Sequence, residues 1–254
     1  PIAQDLQPKP FANMAEATKF FEDELSFMIE DKLKKLDNEL MVNSLNQLRA
    51  LNNKYKAMEV FDDDKRMLDT DAKGNVIASV GTNRKYDTVV ISFNRKYYKL
   101  AIEDFNANQK SMCENGFKMP VDAKNYSIYN VTHEYGHVLH NSWLRKHVDF
   151  EAMQAELDTK KRSDYTTHEG YRKARDRVIS KYTTKRLKKE VEWIINKAKE
   201  IAGSDEMSDT GISKYGETNI YEWFAESFAD SQLNSNPTPA GQAMKLWLKK
   251  EGFE

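Results

Sequence analysis

A chain of 254 residues is long enough for one large domain or two small ones with an ample core. Its 39 basic and 40 acidic residues cancel to a net charge of −1, which removes any overall electrostatic argument for binding nucleic acid or a membrane surface. No apolar run approaches the ~18 residues of a membrane span and no charged-then-apolar leader opens the chain, so a soluble protein without a membrane partner is expected.

The start at Pro1 reads as a fragment or processed product of a larger parent polypeptide. From about Asn13 to Tyr55, Phe20, Phe21, Leu25, Met28, Ile29, Leu33 and Leu36, then Leu40, Leu45, Leu48 and Leu51, recur at three- and four-residue steps. That period predicts two amphipathic helices or one long bent one. Three short Val- and Ile-rich runs, Ala57 to Phe61, Asn75 to Val80 and Thr88 to Phe93, read as strands. The acidic stretch between the first two, Asp62 to Asp64 and Asp69 to Asn75, reads as a solvated turn. It fails as a calcium loop, because Lys73 and Val80 stand where such a loop needs oxygen ligands. If Thr88 to Phe93 forms a sheet edge, it could pair with an extended peptide.

Lys96 to Asn115 reads as a helix stopped by Gly116, and Cys113 within it, the only cysteine, as a small buried hydrophobe that can form no internal disulfide. After Pro120 a helix begins near Lys124 to Tyr126. A long charged segment then runs to about Ile201, with helical spacing from Tyr171 to Ala202 and a basic run from Lys181 to Lys189. Without interleaved aromatics that run reads as a solvated helix face, not a nucleic-acid site. Two further helices are expected at Thr218 to Gln232 and Ala240 to Lys250.

The helix after Pro120 carries His133-Glu134-Tyr135-Gly136-His137, the pattern HExxH. Histidines four apart lie on one helical face, so both imidazoles can reach one zinc ion. Glu134 projects beside that ion, where it can accept a proton from water. A catalytic zinc takes three protein ligands. His140 and Trp143 stand where a second histidine-based motif would need Gly and His, and His140, His147 and His168 read as surface or supporting residues. The third ligand is therefore expected to be a carboxylate from the helix bearing Glu222, Glu226 and Asp230, acids on one stripe opposite Trp223, Phe224 and Phe228. Spacing leaves two registers open: Glu222 on zinc with Glu226 behind it, or Glu226 on zinc with Asp230 behind it.

Lys214 to Phe228, together with the HExxH helix, resembles the corresponding segments of gluzincin metallopeptidases of the anthrax lethal factor type. Related zincin-like domains occur in phage minor head proteins and polymorphic bacterial toxins. In that family the glutamate seven residues after the tyrosine is the metal ligand. The resemblance thus implies Glu222 on zinc with His133 and His137, Glu226 receiving an imidazole N–H, and Tyr215 near the attacking water or the oxyanion. It implies an α+β, zincin-like fold, mostly helical, with a small sheet of about three or four strands beside the HExxH helix. The expected organisation is an N-terminal helical region, 1–56, packed on a metallopeptidase domain, 57–254, with a charged helical insertion at about 145–203. The activity implied is zinc-dependent endopeptidase hydrolysis with Glu134 as base, acting on a protein or peptide substrate. The alternative is a virion structural or assembly module whose zinc site serves folding. Further partners would be a parent polypeptide or virion proteins, and the chain would be virion-associated or delivered as a toxin domain.

Overall fold

The computed structural model describes residues 9–253. Pro1, the rest of 1–8 and residue 254 lie outside the described residues, as does that part of the expected N-terminal region. The architecture is α+β: mostly helical, with one four-stranded sheet. Among the described residues no helix is long and apolar enough to cross a membrane.

The N-terminal periodicity resolves into more pieces than it suggests. Helix α1, Met14–Asp23, is capped by the Asn13 side chain and is followed by a turn in which Ser26 takes the left-handed conformation, φ 56°. Strand β1, Met28–Ile29, comes next, then the short helix α2, Asp31–Lys34, and helix α3, Glu39–Tyr55. Met28 and Ile29 thus belong to a sheet, not to a helix.

Strand β2 is Arg66–Asp69, β3 is Ala78–Gly81 and β4 is Val89–Phe93, in the order β1-β2-β4-β3. The first three neighbours run parallel, and β3 pairs antiparallel with β4, Ala78 opposite Phe93. The sequence reading needs three corrections here. Ala57 to Phe61 is not a strand: Lys56 turns left-handed at the end of α3, the Asn52 side chain accepts from Met58 N, and Met58–Val60 forms a 3₁₀ turn. The acidic loop is not all solvated turn: Arg66–Asp69 is an inner strand with Asp69 and Thr70 buried. Finally, β4 is an inner strand, so the free edge on that side is β3.

Helix α4, Ile102–Glu114, ends at Gly116, whose φ of 73° favours glycine. A 3₁₀ stretch at Ala123–Ile128 leads into α5, Tyr129–His147, the HExxH helix. The charged segment then divides into α6, Phe150–Asp158, α7, His168–Tyr182, and α8, Thr184–Ala202, with Thr183 at the junction of the last two. Two helices complete the fold, α9, Ile220–Leu233, and α10, Pro239–Lys250.

One hydrophobic core runs from Phe11 to Leu248 and takes residues from α1, α3, β4, α5, α8, α9 and α10. Leu187, Val191, Ile194 and Ala198 place α8 within it. By contrast, α6 and α7 share a separate small cluster, Met153, Leu157 and Val178. The basic positions face solvent and pair with acids, Lys181 with Glu156 at 2.6 Å and Lys188 with Glu192 at 3.6 Å. At the centre, α5 crosses α9 with Tyr135 and Phe228 stacked, ring centres 6.1 Å apart. Each of these fully buried aromatics contributes about 1.5–3 kcal/mol by leaving water.

Candidate metal centre

The crossing of α5 and α9 positions everything in the site. Its closest point is Gly136, inside the HExxH motif: a Cβ there would stand 2.9 Å from the Ala225 Cα. Only glycine lets the two backbones approach this far, and that approach sets the two histidines of α5 against the acids of α9. Glu222 comes from the first turn of α9, where the Asn219 side chain accepts from the Tyr221 and Glu222 backbone N–H groups at 2.9 and 3.1 Å.

Nε2 of His133 and Nε2 of His137 lie 3.2 Å apart. Oε2 of Glu222 lies 3.0 Å from the first and 3.4 Å from the second. A tetrahedral zinc with ligands at about 2.0–2.1 Å spaces its donor atoms by about 3.3 Å, so the three atoms already stand at the right separations. No hydrogen bond of acceptable angle reaches the buried Oε2 of Glu222 despite those near nitrogens. A cation shared among the three would satisfy that acceptor, which faces the two imidazoles at 3.0 and 3.4 Å. His133, His137 and Glu222 can therefore hold a metal ion. Of the two registers left open by spacing, Glu222 is the acid beside both histidines.

Glu226, fully buried, sits behind His133, with Oε1 2.8 Å from His133 Nδ1. The same carboxylate accepts from Tyr129 Oη at 2.7 Å, Ser213 Oγ at 2.6 Å and Met119 N at 3.0 Å. Asp230 is elsewhere: it accepts from Thr238 N and Oγ1 at 3.0 and 2.7 Å, and so ties α9 to the start of α10.

His140 supports the other histidine. Its Nε2 lies 3.0 Å from His137 Nδ1, and burial, then the neighbouring His137, hold it well below the usual imidazole range. A neutral His140 accepts the His137 Nδ1 proton, which leaves the His137 Nε2 lone pair free toward the cluster. His147 instead stacks on Trp143, its Nδ1 2.7 Å from the Trp143 carbonyl, and His168 starts α7 at the surface.

The carboxylates and imidazoles of the site shift one another's protonation. Burial pushes the Glu222 carboxyl up, but the two imidazoles outweigh it and hold it well below the usual carboxylate range. Burial likewise lowers the His133 imidazole, and Glu222 and Glu226 more than reverse that, so it holds a proton tightly in the metal-free protein. Binding a metal must displace that proton.

Tyr215 reaches the site from a loop that lies along α4's end, with Lys214 N and Tyr215 N donating to the Gly116 and Phe117 carbonyls, each at 3.0 Å. Its ring centre is 5.7 Å from that of His133 and 5.5 Å from that of Phe117. Burial, then the charges of Glu222 and Glu134, push its phenol above the usual range, so it stays protonated. Glu134 is 7% exposed and, like Tyr215, lines two cavities of about 280 and 410 Å³ that lie beside β3.

His140, expected as a surface or supporting residue, takes the supporting role, whereas the parts played by Gly136, Tyr129 and Ser213 escape the sequence reading. Tyr129 alone left a signal, standing four residues before His133 on the same helical face. No protein-family model, curated protein or solved structure matches the chain, so the site is read from its own geometry.

Proposed function

We propose that the chain is a zinc-dependent endopeptidase with a zincin-like arrangement, its ligands being His133, His137 and Glu222. One observation carries this reading: the three donor atoms lie at zinc-ligand spacing while Glu134, on the same helix, lines the adjoining cleft. A site with three protein ligands that opens onto a cleft suits turnover, whereas a purely structural zinc is enclosed by four.

A bound zinc ion supplies Lewis acidity, polarising a carbonyl and bringing the pKa of water from about 16 toward about 7. Glu134 takes the proton of the attacking water on a carboxylate oxygen and returns it to the leaving amine nitrogen. Tyr215, held in its O–H form, donates a hydrogen bond to the developing oxyanion. Glu226 and His140 hold the imidazoles of His133 and His137 in the tautomer that presents Nε2. The free edge of β3 offers backbone groups to an extended peptide substrate.

Glu134→Gln is expected to lower peptide cleavage about 10²–10⁴-fold while zinc stoichiometry and thermal midpoint stay at wild-type values. Tyr215→Phe should cost about 10²–10³-fold. If the wild type carrying one equivalent of zinc cleaves no peptide in a broad library, the endopeptidase reading falls and the virion structural or assembly module takes its place.

A further inference from the structure

The smaller cavity, about 280 Å³, opens beside Glu134 and His133 and has an unusual floor. Lys118 lies there, 8% exposed, its ammonium donating to Gln109 Oε1 at 3.2 Å and to Asn130 Oδ1 in a short contact. An ammonium only donates, so the amide atoms turned toward it are oxygens. The other ends of both amides are then N–H₂ groups, and Gln109 Nε2 and Asn130 Nδ2 are buried with no partner. Beyond the two amides Lys118 meets the Tyr129 ring, 5.0 Å from its centre, and no carboxylate pairs with it among the described residues. Two buried acids share the lining: Glu226 spends its oxygens on Tyr129, Ser213, Met119 and His133, and Glu134 acts on Lys118 only through its charge, with no ion pair between them.

The floor is thus a cluster of surplus donors around a buried cation, a costly arrangement until an acceptor arrives. Its rim is apolar: Val76 and Phe117 are 49% and 44% exposed, far more than most large apolar side chains of this chain. A partner complementary to both is a short aliphatic stem ending in a group that only accepts hydrogen bonds.

We propose that this cavity seats a carboxylate-bearing side chain, glutamate or aspartate, of the peptide substrate next to the scissile bond, with Lys118 as the residue that selects it. The proposal rests on the endopeptidase reading for its setting. The stem packs against Val76 and Phe117, and the carboxylate accepts from the remaining Lys118 N–H and from Asn130 Nδ2. A charge-assisted hydrogen bond is roughly twice as strong as its neutral counterpart, a difference that amounts to about tenfold in affinity, so glutamate is selected over the nearly isosteric glutamine.

The test uses the zinc-loaded full chain and end-blocked peptides that differ only in carrying Glu or Gln at one position. Wild type is expected to prefer Glu about tenfold in kcat/KM, with Lys118→Met bringing the ratio to about one and Lys118→Arg retaining most of it. Binding of the same peptides to Glu134→Gln, with and without Lys118→Met, reads the preference without turnover. Zinc content and thermal midpoint are measured on every variant, and Lys118→Gln, likewise expected to bring the ratio to about one, serves where Lys118→Met does not fold. Cleavage with no Glu preference overturns the cavity's assignment and leaves the endopeptidase reading standing. Glu-selective binding that depends on Lys118, with no cleavage by wild type, supports the assignment and overturns the endopeptidase reading. A preference that survives in Lys118→Met, in binding or in cleavage, overturns the assignment, as does the absence of both binding and cleavage across the peptide set.

Discussion

Glu222 and Glu226 are one turn apart on α9 and do different work, because each meets a different nitrogen of the same imidazole, Nε2 and Nδ1 of His133. Removing Glu222 with Ala should abolish tight zinc binding, whereas Glu226→Gln should weaken it about 10–100-fold, as loss of an orienting partner does. Competition titration against a zinc chelator measures both, and the opposite ranking would sink the ligand assignment. His140 makes the parallel case for His137, and His140→Phe, which keeps the aromatic packing against Phe224 but removes the acceptor, should weaken zinc to a similar extent. At this scale the sequence was legible for the candidate ligands, for Glu226 behind them and in part for His140, and opaque for the residues that position Glu226 in turn. Histidines at i and i+4 announce themselves. Lys118, Ser213 and Tyr129 matter only through partners distant in the chain, and single-sequence spacing does not encode those.

Among the elements, α5, α9 and α10 were readable from their punctuation, Pro120 before the first, the Gly211 break before the second, and Pro237 and Pro239 before the third. The two strands at the far side were not. In β1 only two residues pair, too few to display alternation, so Met28 and Ile29 merged into the helical period around them. Strand β2 hides its character differently: Arg66 is buried, its guanidinium donating to the Leu25, Glu59 and Phe61 carbonyls, so a charged residue stands where burial would call for an apolar one. The crossing of α5 and α9 is likewise silent in sequence, since Gly136 reads as one of the two free positions of HExxH. Gly136→Ala should push the helices apart, costing about 1–3 kcal/mol by overpacking. Zinc affinity should fall with it, since Glu222 rides on the displaced helix. A thermal melt and a zinc titration on this one variant check the point, and an unchanged affinity would show that the crossing does not set the ligand spacing.

Over the whole molecule, the N-terminal elements are fastened to the sheet by few but specific contacts. Glu30 follows β1 and accepts from Thr70 N and Oγ1, just past β2, at 2.8 and 2.7 Å. Hydrogen bonds from Lys32 and then Thr70 depress its carboxyl from the ordinary 4.5 to about 2. A carboxyl whose folded value is depressed stabilises the fold above its unfolded value, and that contribution is lost as pH falls from about 4.5 toward 2. Glu30→Gln should therefore lower the thermal midpoint at pH 7 and flatten its fall below pH 4.5. If variant and wild type differ equally at pH 7 and pH 2, the titration of Glu30 is not what fastens β1.

The small cluster that α6 and α7 keep to themselves has a dynamic consequence. Met153, Leu157 and Val178 bury far less than the main core, so breaking that cluster forfeits little of the global stability. Residues 150–182 should then behave as a foldon of their own, exchanging amide hydrogens through sub-global opening while α5 and α9 exchange only when the whole chain unfolds. Hydrogen–deuterium exchange followed by mass spectrometry would resolve the two rates, and a single shared rate would mean that these helices stand or fall with the metal site. Opening of this unit would leave the α5–α9 crossing intact, so proteolytic nicking between α6 and α7 should be tolerated by zinc binding.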